Sequence, residues 1–148
     1  MEVREILKRL REKRGLTQEQ LAEKVMVTRQ AVSRWETGET QPNTDTLKLL
    51  SRLFDVSVNT LLGSPRQLIC QCCGMPLSED GFISRETDGP FNEDYCKWCY
   101  ADGEFRYQSK EELADFLMKS MPNPDGLPDN ERREIYLESL SRLTRWKA

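Results

Sequence analysis

Apolar residues in the first 62 positions recur at three- and four-residue intervals, the period of helices that bury one face. Val3, Ile6, Leu7 and Leu10 form a first stripe, ended by Gly15. Thr17 is placed to cap a second helix with Gln20 at the reciprocal third position, and Leu21, Ala22 and Val25 face inward. Thr28 caps a third helix predicted from Arg29 to Glu36, which buries Ala31, Val32 and Trp35 and stops at Gly38. Beyond a polar turn containing Pro42, a helix is predicted over 44–54 with Leu47, Leu50 and Leu53 inward, then a short one over 58–62. The period then disappears. Gly63, Ser64 and Pro65 punctuate the chain, and residues 68–105 offer too few large apolar side chains to hold themselves together. Helical spacing returns after Ser109 with Leu113, Phe116, Leu117 and Met121. MPNPDGLPDN interrupts it, and a last helix is predicted from Glu131 to Trp146 on the stripe Ile135, Leu140, Leu143, Trp146. That stripe either packs within its own chain or forms part of a subunit interface. The expected architecture is mainly α: a five-helix head over 1–63, a linker at 64–67, and a second domain over 68–148 with two C-terminal helices.

The polar face of the third helix changes the picture. Arg29, Gln30, Ser33 and Arg34 remain outside on a short capped helix that directly follows another short helix. Arginine reads guanine O6 and N7, glutamine reads adenine N6 and N7, and a hydroxyl serves base or phosphate, so this face carries the chemistry of a major-groove reader. Gln18, in the first turn of the second helix, is placed to hold a phosphate. The plainer alternative is a solvated polar face on a structural bundle.

Residues 3–62, including RGLTQEQLAEKVMVTRQAVSRWETGETQPNTDTL, resemble the Xre or Cro/C1-type helix-turn-helix domain of phage and bacterial repressors. The resemblance implies a backbone clamp at Gln18, first recognition positions at Arg29 and Gln30, a deeper reader at Arg34, a lesser role for Ser33 and a phosphate contact at Asn43; Thr28 is a further candidate DNA contact. The family's turn of tryptophan, glutamate and glycine is present as Trp35, Glu36 and Gly38. Met26 departs from the pattern, because the family commonly has glycine in the turn between the two helices. If that turn needs a positive φ, a long side chain there carries a cost.

Two cysteine pairs bring the second chemistry. Cys70 and Cys73 in CQCCG, and Cys96 and Cys99 in CKWC, form two C-x-x-C steps with 22 residues between them, in a chain without histidine. This spacing points to one structural Zn²⁺ held by four thiolates. A thiol/disulfide redox pair is the alternative. Cys72 lies inside the first pair, and a tetrahedral site has no use for a fifth sulfur. Choosing it instead of Cys73 would leave one intervening residue and spoil the glycine knuckle at Gly74. It reads either as a small buried side chain or as a reactive thiol beside the metal. Trp98 and Tyr100, with Tyr95 and Phe105, are expected to cover the site. The segments CxxCGMPL and YCxxCYxDGxF resemble a zinc-ribbon family of bacterial proteins, which implies the same ligand set and short β-hairpins.

Charge divides the chain. Residues 1–65 hold 11 Lys/Arg against 9 Asp/Glu, net +2, while residues 66–148 hold 11 against 16, net −5. Phosphate contact therefore belongs to the head. No stretch approaches a membrane span and the amino terminus lacks an apolar signal core, so a cytoplasmic protein is expected, nucleoid-associated when bound. No enzymatic activity is expected: four thiolates close a zinc shell that catalysis needs open, and no phosphate-cradling loop or nucleophile arrangement is present. Asp80, Asp88, Glu93 and Asp94 read as surface-turn carboxylates. The expected function is a double-stranded-DNA-binding transcriptional regulator, a repressor acting as a homodimer on a palindromic operator. Its zinc domain would serve dimerisation, a protein partner or a signal. The alternative is an adaptor or antitoxin-like module whose zinc domain binds a partner that the head addresses to DNA.

Overall fold

The computed structural model describes residues 1–147 and divides into two compact units, Met1–Arg66 and Gln67–Ala148. In the first, the periodic stripes become five helices: α1 (Val3–Lys13), α2 (Gln18–Lys24), α3 (Arg29–Thr37), α4 (Thr44–Phe54) and α5 (Val58–Leu61). Each of α2 to α5 starts on a side-chain cap. Thr17 and Gln20 form a reciprocal capping box, while Thr28, Asn43 and Ser57 each accept from an amide of the following turn. Gly38, at φ +84°, ends α3 in a left-handed conformation in which its amide and that of Glu39 bond back to Trp35 and Arg34.

The five helices enclose Leu7, Leu21, Val25, Val32, Trp35, Leu47, Leu50, Phe54 and Leu61, all buried. Leu53, expected inside, is only partly buried, and Phe54 takes the core position beside it. The turn between α2 and α3 places Met26 at φ 58° with its side chain 79% exposed. The left-handed conformation costs a residue with a Cβ about 1–2 kcal/mol, while glycine there costs about 0.5–1 kcal/mol in unfolded-chain entropy. Met26 loses no packing on truncation, so Met26→Gly is expected to stabilise the head by roughly 0.5–1 kcal/mol in urea titration.

The second unit builds short strands around the cysteines and closes them with two helices. An isolated antiparallel bridge between Ile69 and Pro76 pinches the first cysteine loop. A 3-10 turn at Asp80–Phe82 leads into β1 (Ile83–Arg85), which pairs antiparallel with β2 (Phe91–Cys96) through an irregularity after Ile83. Next, β3 (Tyr100–Ala101) pairs with β4 (Glu104–Phe105). Helices α6 (Lys110–Ser120) and α7 (Asp129–Ser141) pack together and bury Leu113, Ala114 and Leu140 against Leu77, Ile83, Tyr107 and the cysteines. Arg132 on α7 is itself buried, and its guanidinium donates to the carbonyls of Met118, Met121 and Pro122 at the end of α6. It thereby satisfies acceptors that the end of a helix leaves without partners.

The last helix is shorter than its stripe. It ends at Ser141, and Thr144–Trp146 form a separate 3-10 turn. This turn is fastened to the first cysteine loop. The Thr144 amide and hydroxyl donate to Gln71 Oε1 at 3.1 and 2.9 Å, the Arg145 amide to the Gln71 carbonyl at 3.1 Å, and Trp146 Nε1 to the Cys72 carbonyl at 2.8 Å. No helix is long and apolar enough to cross a membrane among the described residues.

Candidate functional site

Four cysteines that are separated in sequence converge in the second unit. Cys70 and Cys73 sit in the bridged loop, Cys96 ends β2, and Cys99 directly precedes β3. Their sulfur atoms all lie within 4.8 Å of one another, and Cys73 Sγ stands 3.9 Å from Cys96 Sγ. A tetrahedral Zn²⁺ with bonds of about 2.3 Å sets sulfur atoms about 3.8 Å apart, so the observed spacing fits that ion. Cys70, Cys96 and Cys99 are at most 2% exposed, and Cys73 is partly buried.

The four thiols also share protons with one another. Hydrogen bonding from Cys73, and then from Cys96 and Cys99, holds the Cys70 thiol far below its ordinary value. The same sharing pushes Cys73 and Cys99 upward, with Cys70 the largest cause in both. Against the hydrogen bond with Cys70, those with Cys73 and Cys99 hold Cys96 low as well, and a divalent ion among the sulfurs would favour the thiolate at all four. Sulfur contacts from backbone amides complete the knuckle. The amides of Cys72 and Cys73 approach Cys70 Sγ at 3.4 and 3.5 Å. Gly74, at φ +82°, instead sends its amide to the Cys70 carbonyl at 2.8 Å, so it makes the tight turn rather than the sulfur contact.

Cys72 lies outside the group of four and is completely buried in the same core. Of the aromatic residues expected to cover the site, Tyr95, Tyr100 and Phe105 form a cluster with ring centroids 4.8–5.7 Å apart. Trp98 does not enclose the sulfurs: it is 47% exposed, beside Phe82 at 5.8 Å and under Lys97 Nζ at 4.9 Å.

In the first unit, α3 leaves Arg29, Gln30 and Arg34 exposed and Ser33 partly so. Arg34 Nε lies 3.9 Å from Glu39 Oε2, both side chains more than 60% exposed, an ion pair of little energetic weight. Thr28 Oγ1 accepts from the Ala31 amide and Asn43 Oδ1 from the Thr46 amide. Capping uses only their acceptors, so the Thr28 hydroxyl proton and the Asn43 amide protons are left to donate elsewhere.

Gln18 is fixed by a contact that sequence reasoning missed. Its Nε2 donates to Glu36 Oε1 at 3.3 Å, and the same carboxylate takes two bonds from Arg11, Nε to Oε2 at 2.7 Å and Nη2 to Oε1 at 2.9 Å. Arg11 also donates to the Leu16 carbonyl at 2.8 Å. The Arg11 and Glu36 side chains are 12% and 5% exposed. Hydrogen bonding to Glu36 holds the Arg11 guanidinium above its ordinary pKa, against the opposing effect of desolvation. An arginine on the first helical stripe's margin and a glutamate late in the third helix were the available signal. Their pairing across 25 residues is invisible to local periodicity.

Comparison with known proteins agrees with both halves. Residues 69–147 match the family described as "Putative zinc ribbon domain", and residues 7–61 match a helix-turn-helix family. The HTH-type transcriptional activator BcrR of Enterococcus faecalis is 48% identical over 62 residues, covering 42% of this chain and 30% of that protein. The HTH-type transcriptional regulator ImmR of Bacillus subtilis is 44% identical over 57 residues, 38% of this chain and 45% of that protein. The chain thus spans less than half the length of either relative. A crystal structure of the P22 c2 repressor protein with synthetic operator 9T is 34% identical, covers 42% of this chain and 94% of that chain, and has a TM-score of 0.41. The family match and the sulfur geometry together support one structural zinc, for which Cys70, Cys73, Cys96 and Cys99 are the clustered candidate ligands. The chain belongs to the zinc ribbon family and carries an Xre/Cro/C1-type helix-turn-helix domain in front of the ribbon.

Proposed function

We propose that this chain is a transcriptional regulator that binds double-stranded DNA sequence-specifically, as a homodimer on a palindromic operator, and represses by occupying it. The observation that carries the reading is the exposed row Arg29, Gln30, Ser33 and Arg34 on α3, with Gln18 held beside it by Glu36. In this reading Arg29, Gln30 and Arg34 contact base edges. Gln18, Thr28 and Asn43 donate to phosphates, and Ser33 takes a secondary contact. One recognition helix covers a few base pairs, whereas two related by a two-fold axis enter successive major grooves about 34–36 Å apart.

The zinc unit contributes no phosphate affinity in this account, because a net charge of −5 is repelled by the duplex. Zinc orders the ribbon, and the ribbon meets the second subunit or a protein partner. Much of the sequence stripe is already occupied, since Leu113 and Leu140 are buried within the unit. Phe116, Met121 and Ile135, 41–50% exposed, supply the apolar surface for that contact. Catalysis has no place here, and the protein acts in the cytoplasm, where its DNA is.

Arg34 provides the test. Arg34→Ala is expected to cost about 1–3 kcal/mol on the selected operator and to relax one base position, the worth of a bidentate base contact. Fluorescence-anisotropy titrations against operators changed one base pair at a time read this directly. A uniform loss on every sequence would assign Arg34 to phosphate instead.

A further inference from the structure

The four zinc ligands are not equivalent, and the difference selects a reactive one. Cys70, Cys96 and Cys99 are 0–2% exposed, whereas Cys73 is only partly buried and so partly accessible to solvent. Two backbone amides approach the Cys70 sulfur and draw charge from it, which lowers its nucleophilicity. Cys73 also has a second sulfur nearby, Cys96 Sγ at 3.9 Å. An accessible thiolate beside a resolving thiolate is the arrangement that reacts reversibly with peroxides.

We propose that Cys73 is a peroxide-modification site whose oxidation opens the zinc centre. The Cys73 thiolate attacks hydrogen peroxide; an S–O bond forms, the O–O bond breaks, hydroxide leaves, and Cys73 becomes a sulfenic acid. The Cys96 thiolate then attacks that sulfur, forming the Cys73–Cys96 disulfide and expelling a second hydroxide. Two thiolates lose two electrons and one peroxide gains them, with two protons from solvent converting the hydroxides to water. Cys70 and Cys99 alone do not complete a tetrahedral shell, so the metal leaves.

The loop carries the event to the end of the chain. Gln71 and Cys72, enclosed between Cys70 and Cys73, accept four of the hydrogen bonds that fasten Thr144, Arg145 and Trp146, and a fifth runs from Arg145 Nη2 to the Tyr107 carbonyl at 2.9 Å. Rearrangement of the knuckle removes those four acceptors and loosens this turn, leaving it the Arg145 bond to Tyr107. Cys72, buried and outside the ligand group, takes no part.

The test uses the full-length zinc-loaded protein, with zinc content measured first, and follows zinc release to a chromophoric chelator on addition of hydrogen peroxide. Dimedone trapping and peptide mapping identify the modified cysteines. The expected result is release of zinc with dimedone at Cys73 early and a Cys73–Cys96 disulfide late, reversed by dithiothreitol and zinc. Hydrogen exchange over residues 143–147 should rise in parallel. Cys72→Ser, which keeps the ligand set, should release zinc at an unchanged rate. First modification at another cysteine, a disulfide lacking Cys73, or blockage in Cys72→Ser would overturn the proposal. Protein that holds zinc but keeps it until irreversible oxidation would overturn it while leaving the zinc assignment intact; protein purified without zinc would overturn both.

Discussion

Cys96→Ser is expected to strip the zinc and unfold residues 67–147 while the head stays folded. Zinc binding to such thiolate sites contributes about 10–16 kcal/mol near neutral pH, comparable to or larger than the whole stability of an ordinary domain, about 5–15 kcal/mol. The second unit has little to replace it with, since its core is built around Cys70, Cys96 and Cys99 themselves, with Leu77, Ile83, Leu113 and Leu140 alongside. The head's core, from Leu7 to Leu61, contains no cysteine. Metal analysis and calorimetry read the two effects separately: wild type should show zinc and two unfolding contributions, the variant no zinc and only that of the head. A variant that lost zinc yet kept a fully folded second unit would show that its helices suffice.

Glu36→Ala is expected to destabilise the head by about 1–3 kcal/mol, the cost of leaving a partly buried hydrogen-bonding group without its partner. Arg11 would keep only the Leu16 carbonyl and an exposed, distant Glu12 contact at 3.9 Å. Gln18 would lose the bond that orients it, so operator affinity should fall further than stability alone accounts for. The double variant Arg11→Met, Glu36→Leu should recover most of the lost stability without restoring Gln18, because well-packed apolar residues often replace a buried ion pair at little cost. Urea unfolding beside DNA titration separates the two losses.

The head was legible because its helices are amphipathic and capped, and each cap named in its sequence, Thr17 and Thr28, sits at the start of its helix. Gly38 ends α3 as expected, and the suspicion attached to Met26 corresponds to a real positive φ. The zinc ligands were legible because metal geometry imposes a spacing that survives in the sequence. Long-range polar contacts were not. Arg11 with Glu36, Arg132 with the end of α6, and Trp146 with the Cys72 carbonyl join residues far apart, and the side chains involved look like ordinary surface or stripe residues. The α7 stripe misled for a related reason. Leu143 and Trp146 keep helical spacing with Leu140, although the chain leaves the helix after Ser141 to reach the cysteine loop.

Sequence-specific binding by a two-fold pair of α3 helices is the central claim, and selection of bound fragments from the host genome by the full-length, zinc-loaded protein tests it most directly. The account predicts a consensus of two inverted half-sites whose centres lie one helical turn apart, about 34–36 Å, or a multiple of that spacing. Absence of any enriched sequence, or a consensus of one unrepeated half-site, would contradict it.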